Sequence, residues 1–167
     1  MIVRPRDAGD LPALVTALRA VHDRDGYPVR WKADPTAWLT PDGLRAAWVV
    51  EHDRRPVGHA ALADVVPDEP AATTWAQAAG RPVERLSCLT RLFVALGSRG
   101  AGVGGALLDA AVAHARSEGR TAVLEVSPAD GPAVTLYHRQ DWRDAGDGPA
   151  RWWVPGGGPS LLLVAPA

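Results

Sequence analysis

The sequence predicts a single α/β domain over residues 1–167, with a mixed, mostly antiparallel sheet flanked by helices. A chain of 167 residues is a normal length for one domain with a full core. Two β-like runs, at 46–53 and 56–66, are close enough in sequence to form an antiparallel hairpin. A strand candidate at 85–96 precedes a helical pattern and another strand, which is the order of a parallel crossover. Hairpins and crossovers together require a mixed sheet.

The N-terminal part is predicted to contain a short strand, one helix and a long loop. Residues 2–4 are the strand candidate. Apolar residues at helical spacing predict an amphipathic helix over 11–23, with Asp10 as its N-cap and Pro12 in its first turn. The following Pro- and Gly-punctuated stretch, 23–43, is typical of a loop that is not regular throughout.

The C-terminal part is predicted to alternate strands and helices after a polar, Pro-rich insertion at 67–83. A helix begins at Val103 and ends near Gly119, a residue suited to a helix C-cap. The remaining predicted elements are a strand at 121–128, a short helix at 132–140, and two closing β segments at 141–146 and 159–165.

The charge balance and the cysteine count exclude several classes of protein. With 18 basic and 19 acidic residues the net charge is −1, which gives no general attraction for nucleic acid or an anionic membrane. The one cysteine, Cys88, excludes an internal disulfide and a cysteine-based zinc cluster, and the five histidines lack metal-ligand spacing. We therefore predict no metal site. Without a signal-peptide pattern or a spanning apolar run, the sequence predicts a cytoplasmic protein with no nucleic-acid or membrane partner.

The glycine-rich stretch "RGAGVGG", residues 99–105, admits two interpretations. Gly100, Gly102 and Gly105 fit the G-x-G-x-x-G of an NAD(P)-dependent oxidoreductase. However, "ALGSR" separates the preceding strand from the first glycine, and too few strand–helix units follow for a doubly wound sheet. Alternatively, Arg99 begins an R-x-x-G-x-G pattern, in which a guanidinium and the amides of a helix start suit a pyrophosphate.

Two segments carry a specific resemblance. "LTRLFVALGSRGAGVGGALLDAAVAHARSEGRTAVLEV" and "DGPAVTLYHRQDW" resemble the signature segments of the GNAT superfamily of N-acetyltransferases, and the likeness covers about 84–142. The resemblance implies acetyl-CoA as cofactor and direct transfer to a primary amine in a ternary complex. The cofactor-binding residues that it implies are the strand residues Leu92, Phe93 and Val94, the loop residues Arg99, Gly100, Ala101, Gly102, Val103, Gly104 and Gly105, and the later Asp130, Ala133 and Tyr137.

Amine acetylation needs a neutral amine and a proton for the departing thiolate. An alkyl ammonium has a pKa near 10.4, so a base or an amine of lower pKa is required. By its position in the family pattern, Tyr137 is expected to act as the general acid. The nearest carboxylate upstream of the cofactor strand is Glu84, which is predicted as the base; Glu51 is another candidate. Each carboxylate also fits a solvated strand end.

The acceptor is expected to be a small-molecule amine. Acidic and aromatic residues in the loop after the first helix suit a cationic amine, although the same aromatics also fit a loop packed over the core. Trp152 and Trp153 suit either packing or a homodimer contact. Two other functions compete: a non-catalytic acyl-CoA-binding sensor and the NAD(P)-dependent oxidoreductase. The predicted acceptor-binding residues are His22, Asp25, Tyr27, Trp31 and Glu51.

Overall fold

The computed structural model describes residues 1–167 and contains five α-helices and seven strands. The helices are α1 Leu11–Asp25, α2 Pro35–Trp38, α3 Ala72–Ala79, α4 Val103–Ser117 and α5 Gly131–Arg139. The strands are β1 Ile2–Pro5, β2 Leu44–His52, β3 Arg55–Asp64, β4 Leu86–Val94, β5 Thr121–Val126, β6 Arg143–Ala150 and β7 Pro159–Val164.

The seven strands form one sheet in the order β1-β2-β3-β4-β5-β7-β6. β4 and β5 pair in parallel, with Leu86 opposite Thr121, whereas the β1–β2, β2–β3, β5–β7 and β6–β7 pairs are antiparallel. Asp53 and Arg54 join β2 to β3 with φ angles of 48° and 58°, as a two-residue hairpin turn requires. The prediction of a mixed, mostly antiparallel sheet flanked by helices is confirmed.

Contacts divide the chain into two compact units. The first comprises residues 1–63 and 89–111, and the second comprises residues 64–88 and 112–167. β4 and α4 each contribute residues to both units. The expectation of one domain over the whole chain stays a prediction.

The core of the first unit is a cluster formed by the buried face of α1 and side chains from β2 and β4. α1 ends at Gly26, whose φ of 73° and N–H bond to the His22 carbonyl make it a left-handed C-cap. Asp10 is the N-cap residue of α1, as predicted, but its side chain makes no cap bond to the helix. The Arg4 guanidinium instead donates to both Asp10 carboxylate oxygens at 2.8 Å. The buried residues of this cluster are Leu14, Leu18, Val21, Leu39, Val49 and Phe93.

The core of the second unit forms around Trp75, which is 2% exposed. Its indole N–H donates to the Leu124 carbonyl at 3.2 Å. Trp75 lies on α3, so the insertion predicted at 67–83 contains a helix that buries apolar surface, ended by Gly80 with φ 61°. Leu86, Val123, Leu162 and Val164 pack in the same cluster.

Several predicted boundaries are corrected by the structure. The loop at 23–43 contains the short helix α2, whose first-turn Ala37 N–H bonds to the Asp34 side chain. The first closing β segment runs over 143–150 rather than 141–146, because Asp141, with φ 59°, belongs to the turn after α5. None of the helices combines the length and the apolar character that a membrane crossing requires.

Candidate active site

The glycine loop leads into α4 through two residues in the left-handed region. Gly100 and Gly102 have φ angles of 77° and 79°, and a Cβ at either position would meet nothing within 4 Å. Glycine is therefore required by the backbone conformation and not by a shortage of space. The first N–H groups of α4 have no acceptor within the helix, whereas the Ala106 N–H bonds to the Gly102 carbonyl at 3.0 Å. An open loop that leads into a helix N-terminus suits an anionic group.

A second glycine, Gly58 on β3, allows the start of α4 to pack closely on the sheet. A Cβ on Gly58 of β3 would lie 2.6 Å from Val103 Cγ1 and 3.1 Å from Leu107 Cδ1. Real Cβ atoms do not approach that closely, so only glycine lets the first turn of α4 pack directly on β3. The position of the glycine loop is therefore set by the packing of its helix on the sheet.

β4 contains a left-handed residue just before the predicted cofactor strand. Arg91 has a φ of 57°, a conformation that costs a non-glycine residue about 1–2 kcal/mol. Its side-chain Nε donates to the Trp38 carbonyl at 3.0 Å, and its guanidinium carbon lies 4.3 Å from the centre of a Trp38 ring. These contacts hold the backbone turn that orients the next three residues, 92–94.

His59 supports the same turn from β3. It is fully buried, its Nδ1 lies 2.8 Å from the Arg91 carbonyl oxygen, and its Nε2 lies 3.1 Å from Arg6 Nη1. Burial lowers the pKa of His59 to about 4, so the imidazole is neutral at pH 7. The geometry fits one tautomer, in which Nδ1–H donates to the Arg91 carbonyl and Nε2 accepts from Arg6. The Phe93 ring stacks on the imidazole at 5.7 Å.

The sequence did not predict a role for His59 or the left-handed Arg91. The only signal for His59 is its place among small apolar residues in "VGHAALA", a pattern that indicates a buried polar side chain. Arg91 carries no signal, because an arginine gives no indication of a positive φ. Both residues matter here because they fix the backbone on which the predicted cofactor strand depends.

The structure brings together two predicted site residues, Arg99 and Asp25. Arg99 Nη2 donates a hydrogen bond to a carboxylate oxygen of Asp25, the last residue of α1. Arg99 was predicted to bind the cofactor and Asp25 the acceptor. Both side chains are partly exposed, at 46% and 35% respectively.

The aromatic residues of the predicted acceptor loop pack against the first unit's core. Tyr27 and Trp31 are partly buried beside the α1 cluster. The Arg19 guanidinium lies over Trp31, 5.0 Å from the centre of the ring, and the His22 ring lies 5.3 Å from Trp31. A cation of the chain itself thus lies on Trp31, and His22 Nδ1 is 2.7 Å from the Pro28 carbonyl oxygen. This geometry favours the packing alternative for these three residues.

The two predicted carboxylates lie in different surroundings. Glu51 on β2 accepts a hydrogen bond from Arg4 Nε at 2.8 Å, and the same guanidinium holds Asp10. The hydrogen bonds from Arg4 keep the pKa of Asp10 below its usual range. Glu84 is exposed in the turn Val83–Arg85 that precedes β4.

α5 carries the predicted site residues of the second unit. Asp130 is the N-cap, and its Oδ1 accepts a hydrogen bond from the Ala133 N–H at 3.2 Å. Tyr137 is 7% exposed, and its ring centre lies 5.9 Å from that of Trp142. Asp130 thus caps the start of α5 through a carboxylate oxygen.

A network of polar side chains around Glu125 forms a further feature of the second unit. Arg151 donates to both carboxylate oxygens of Glu125, at 2.7 and 2.9 Å, and also to Glu69. The Ser160 hydroxyl donates to Glu125 as well. The network thus gives both carboxylate oxygens of Glu125 hydrogen-bond partners within the second unit. Trp152 is 57% exposed, and its role in a homodimer contact stays a prediction.

The glycine loop with Arg99 and the mixed sheet define the class of acyl-CoA-dependent N-acyltransferases. The chain belongs to the acetyltransferase (GNAT) family, whose sequence profile matches residues 13–142. Membership confirms the predicted family, the predicted enzyme class and acetyl-CoA as its cofactor. It also rules out the oxidoreductase interpretation, which requires a largely parallel sheet, whereas the β1–β2, β2–β3, β5–β7 and β6–β7 pairs here are antiparallel.

Solved structures show the same fold at low sequence identity. The ribosomal-protein-alanine N-acetyltransferase from Brucella melitensis aligns with a TM-score of 0.71 and 22% identity, over 98% of both chains. Arabidopsis thaliana NAA60, in complex with acetyl-CoA, aligns with a TM-score of 0.73 and 19% identity, over 98% of this chain and 96% of that one. The putative acetyltransferase yncA from Salmonella typhimurium, with its cofactor acetyl-CoA, gives 0.69 and 17%, over 98% and 91%. No curated protein matches the sequence.

Proposed function

We propose that the protein transfers the acetyl group of acetyl-CoA directly to a primary amine in a ternary complex, and that the acceptor is a small-molecule amine. The observation that carries this proposal is the glycine loop: open left-handed positions at Gly100 and Gly102, a helix start, and the Arg99 guanidinium. Acetyl-CoA supplies an activated acetyl thioester together with a pyrophosphate by which a protein can hold it.

The residues of the first unit supply the cofactor grip in this proposal. Arg99 and the amides from Gly100 to Gly105 bind the pyrophosphate, because a helix N-terminus and a guanidinium both favour an anion. The backbone of 92–94 pairs with the extended pantetheine arm. The left-handed Arg91 and its bond from His59 orient that backbone.

We assign the proton donor to Tyr137 on α5. A phenol is protonated at pH 7 and can donate to a thiolate, whose conjugate acid has a lower pKa. Tyr137→Phe keeps the ring that packs near Trp142 and removes the hydroxyl. We expect kcat to fall about 100-fold with KM for acetyl-CoA nearly unchanged, in line with the loss of a general acid. An unchanged kcat would rule out this role.

The predicted base, Glu84, is tested by Glu84→Gln. Glu84 is exposed in the turn before β4, as a solvated strand-end carboxylate would be, whereas a base must reach the amine directly or through one water. We therefore expect the variant to keep its activity within about twofold, with the amine losing its proton to solvent. The matched control is Asp68→Asn, another exposed carboxylate of the same unit. A large loss specific to Glu84→Gln would restore Glu84 as the base.

Two classes of acceptor amine are tested against each other. The partly exposed carboxylate of Asp25 suits a cationic amine. A protein N-terminus is the second candidate, favoured by the fold similarity to ribosomal-protein-alanine N-acetyltransferases. A thiol-release assay with acetyl-CoA should therefore compare amino acids, polyamines and aminoglycosides with peptides that begin with alanine.

The central experiment combines this assay with calorimetric titration of acetyl-CoA. We expect wild-type protein to bind acetyl-CoA and to release thiol with at least one small amine. Arg99→Gln should weaken acetyl-CoA binding about tenfold, the usual effect of losing a charge-assisted contact. Arg55→Gln, at an exposed arginine in the first hairpin, should not. Binding without turnover across the panel would favour the non-catalytic sensor, and turnover with peptides alone would move the acceptor to a protein N-terminus.

A further inference from the structure

The contact between Asp25 and Arg99 joins the predicted cofactor loop to the end of α1. It is reinforced by packing, because Leu96, three residues before Arg99, lies against the same cluster as Leu14 and Leu18 of α1. The buried contact fixes the approach to the glycine loop next to the helix. The packing of Leu96 in the first unit thus places Arg99 close to Asp25.

Helix stability does not explain a carboxylate at this position. Asp25 is the last residue of α1, where the helix macrodipole disfavours a negative charge. The other acid of this turn, Asp23, is paired with Arg19 one turn earlier at 2.9 Å. The interaction that compensates Asp25 is the one with Arg99, a residue of the neighbouring loop.

We propose that Asp25 is a positioning residue that acts through Arg99 and restrains acetyl-CoA binding until the cofactor's pyrophosphate displaces it. This inference rests on the proposed function, in which Arg99 binds the pyrophosphate. A carboxylate and a pyrophosphate are both anions, so the two compete for the same guanidinium and repel each other when close. The affinity that is measured for the cofactor therefore includes the cost of breaking the Asp25–Arg99 pair.

The expected effect is modest because both side chains are partly exposed. An ion pair of this kind changes an equilibrium constant by up to about fivefold. Asp25→Asn keeps the shape of the side chain and removes its charge. We expect this variant to bind coenzyme A two- to fivefold more tightly than wild-type protein, since neither competition nor repulsion by a charge remains.

The test is calorimetric titration with two probes, coenzyme A and pantetheine, which lacks the pyrophosphate. Asp25→Asn should tighten binding of coenzyme A and leave pantetheine binding unchanged. Asp23→Asn is the matched control. It removes an equal charge two residues before Asp25, and the Asp23 side chain is paired with Arg19 rather than Arg99. It should leave the affinity for coenzyme A within error of wild type.

A double-mutant cycle separates action through Arg99 from a general charge effect. In an Arg99→Gln background, Asp25→Asn should change the affinity for coenzyme A by less than about 1.7-fold, the lower end of the error of such cycles. An equal gain in that background would overturn the proposal. So would weaker or unchanged binding in Asp25→Asn alone, because Asp25 would then orient Arg99 for the cofactor or not affect it. Failure of wild-type protein to bind coenzyme A would instead overturn the proposed function, and this inference with it.

Discussion

The buried His59 makes a sharp prediction about stability at mildly acidic pH. In the folded protein its pKa is about 4, against an ordinary value of 6.5, because burial disfavours the charged imidazolium. Between these two pH values the unfolded chain takes up a proton that the folded protein does not. The free energy of unfolding therefore rises with pH across this window. The stability that neutral His59 contributes is lost as the pH falls from 6.5 towards 4.

The size of the loss follows from the two pKa values. Each tenfold difference in proton affinity corresponds to 1.36 kcal/mol, so His59 alone accounts for about 2 kcal/mol between pH 7 and pH 4.5. This is a large share of the stability of an ordinary domain. Protonation would also put a positive charge beside Arg6 Nη1 and remove the lone pair that accepts from it.

The assay is urea denaturation of wild-type protein and His59→Asn at pH 7, 6, 5 and 4.5. Asparagine is polar but does not titrate, so the variant should be less stable at pH 7 and lose about 2 kcal/mol less than wild type on acidification. Contributions from carboxylates such as Asp10 cancel in the comparison. His52→Asn, the same change at an exposed histidine, should follow wild type. Parallel pH profiles for wild type and His59→Asn would refute the reasoning.

Three further substitutions test the packing around the site and the second unit. Gly58→Ala should lower the free energy of unfolding, measured in urea, by about 1–3 kcal/mol and weaken acetyl-CoA binding, because the new methyl group would clash with Val103. The control is Gly9→Ala, where a Cβ meets nothing within 4 Å, and equal effects of the two changes would count against the packing argument. Gly102→Ala has room for its methyl group but not the backbone freedom, so it should cost about 1–2 kcal/mol and reduce acetyl-CoA affinity; Gly97→Ala should do neither. Arg151→Met leaves the largely buried Glu125 without its charge partner and should cost about 3–5 kcal/mol, much of which Glu125→Leu in the same chain should restore. An Arg151→Met protein of wild-type stability would show that solvent already compensates Glu125.

Much of the fold follows from local sequence patterns. The structure contains α1, the hairpin around Asp53 and the helix that begins at Val103, all close to their predicted bounds. These elements are decided by periodicity and turn chemistry, which act over a few residues. α3 was missed because "AATTWAQAA" lies among prolines and glycines, and its stability comes from the burial of Trp75 against strands far away in sequence.

In the candidate site, too, features set by local sequence could be predicted, whereas features set by tertiary contacts could not. The left-handed backbone of the glycine loop is a local requirement that its glycines announce in the sequence, whereas its role in cofactor binding stays a prediction. The predicted acceptor loop carries no such local signal, because the same aromatic and acidic residues serve a pocket or a core equally well. Only tertiary contacts show that Arg19 lies over Trp31 and that Arg4 holds Glu51.

The glycine loop shows how conformation distinguishes two motifs that share letters. Gly100 and Gly102 are the two glycines of "RGAGVGG" with positive φ angles, whereas Gly104 and Gly105 lie buried in the first turn of α4. In the R-x-x-G-x-G pattern, Gly102 supplies the turn that ends the loop, and Gly104 is a small residue in the first turn of α4, whose amides we propose to bind the pyrophosphate. A side chain at Gly102 would be strained by its φ even in open space. The pattern that begins at Arg99 therefore accounts both for the left-handed glycines and for the charge beside them, and that charge is paired with Asp25.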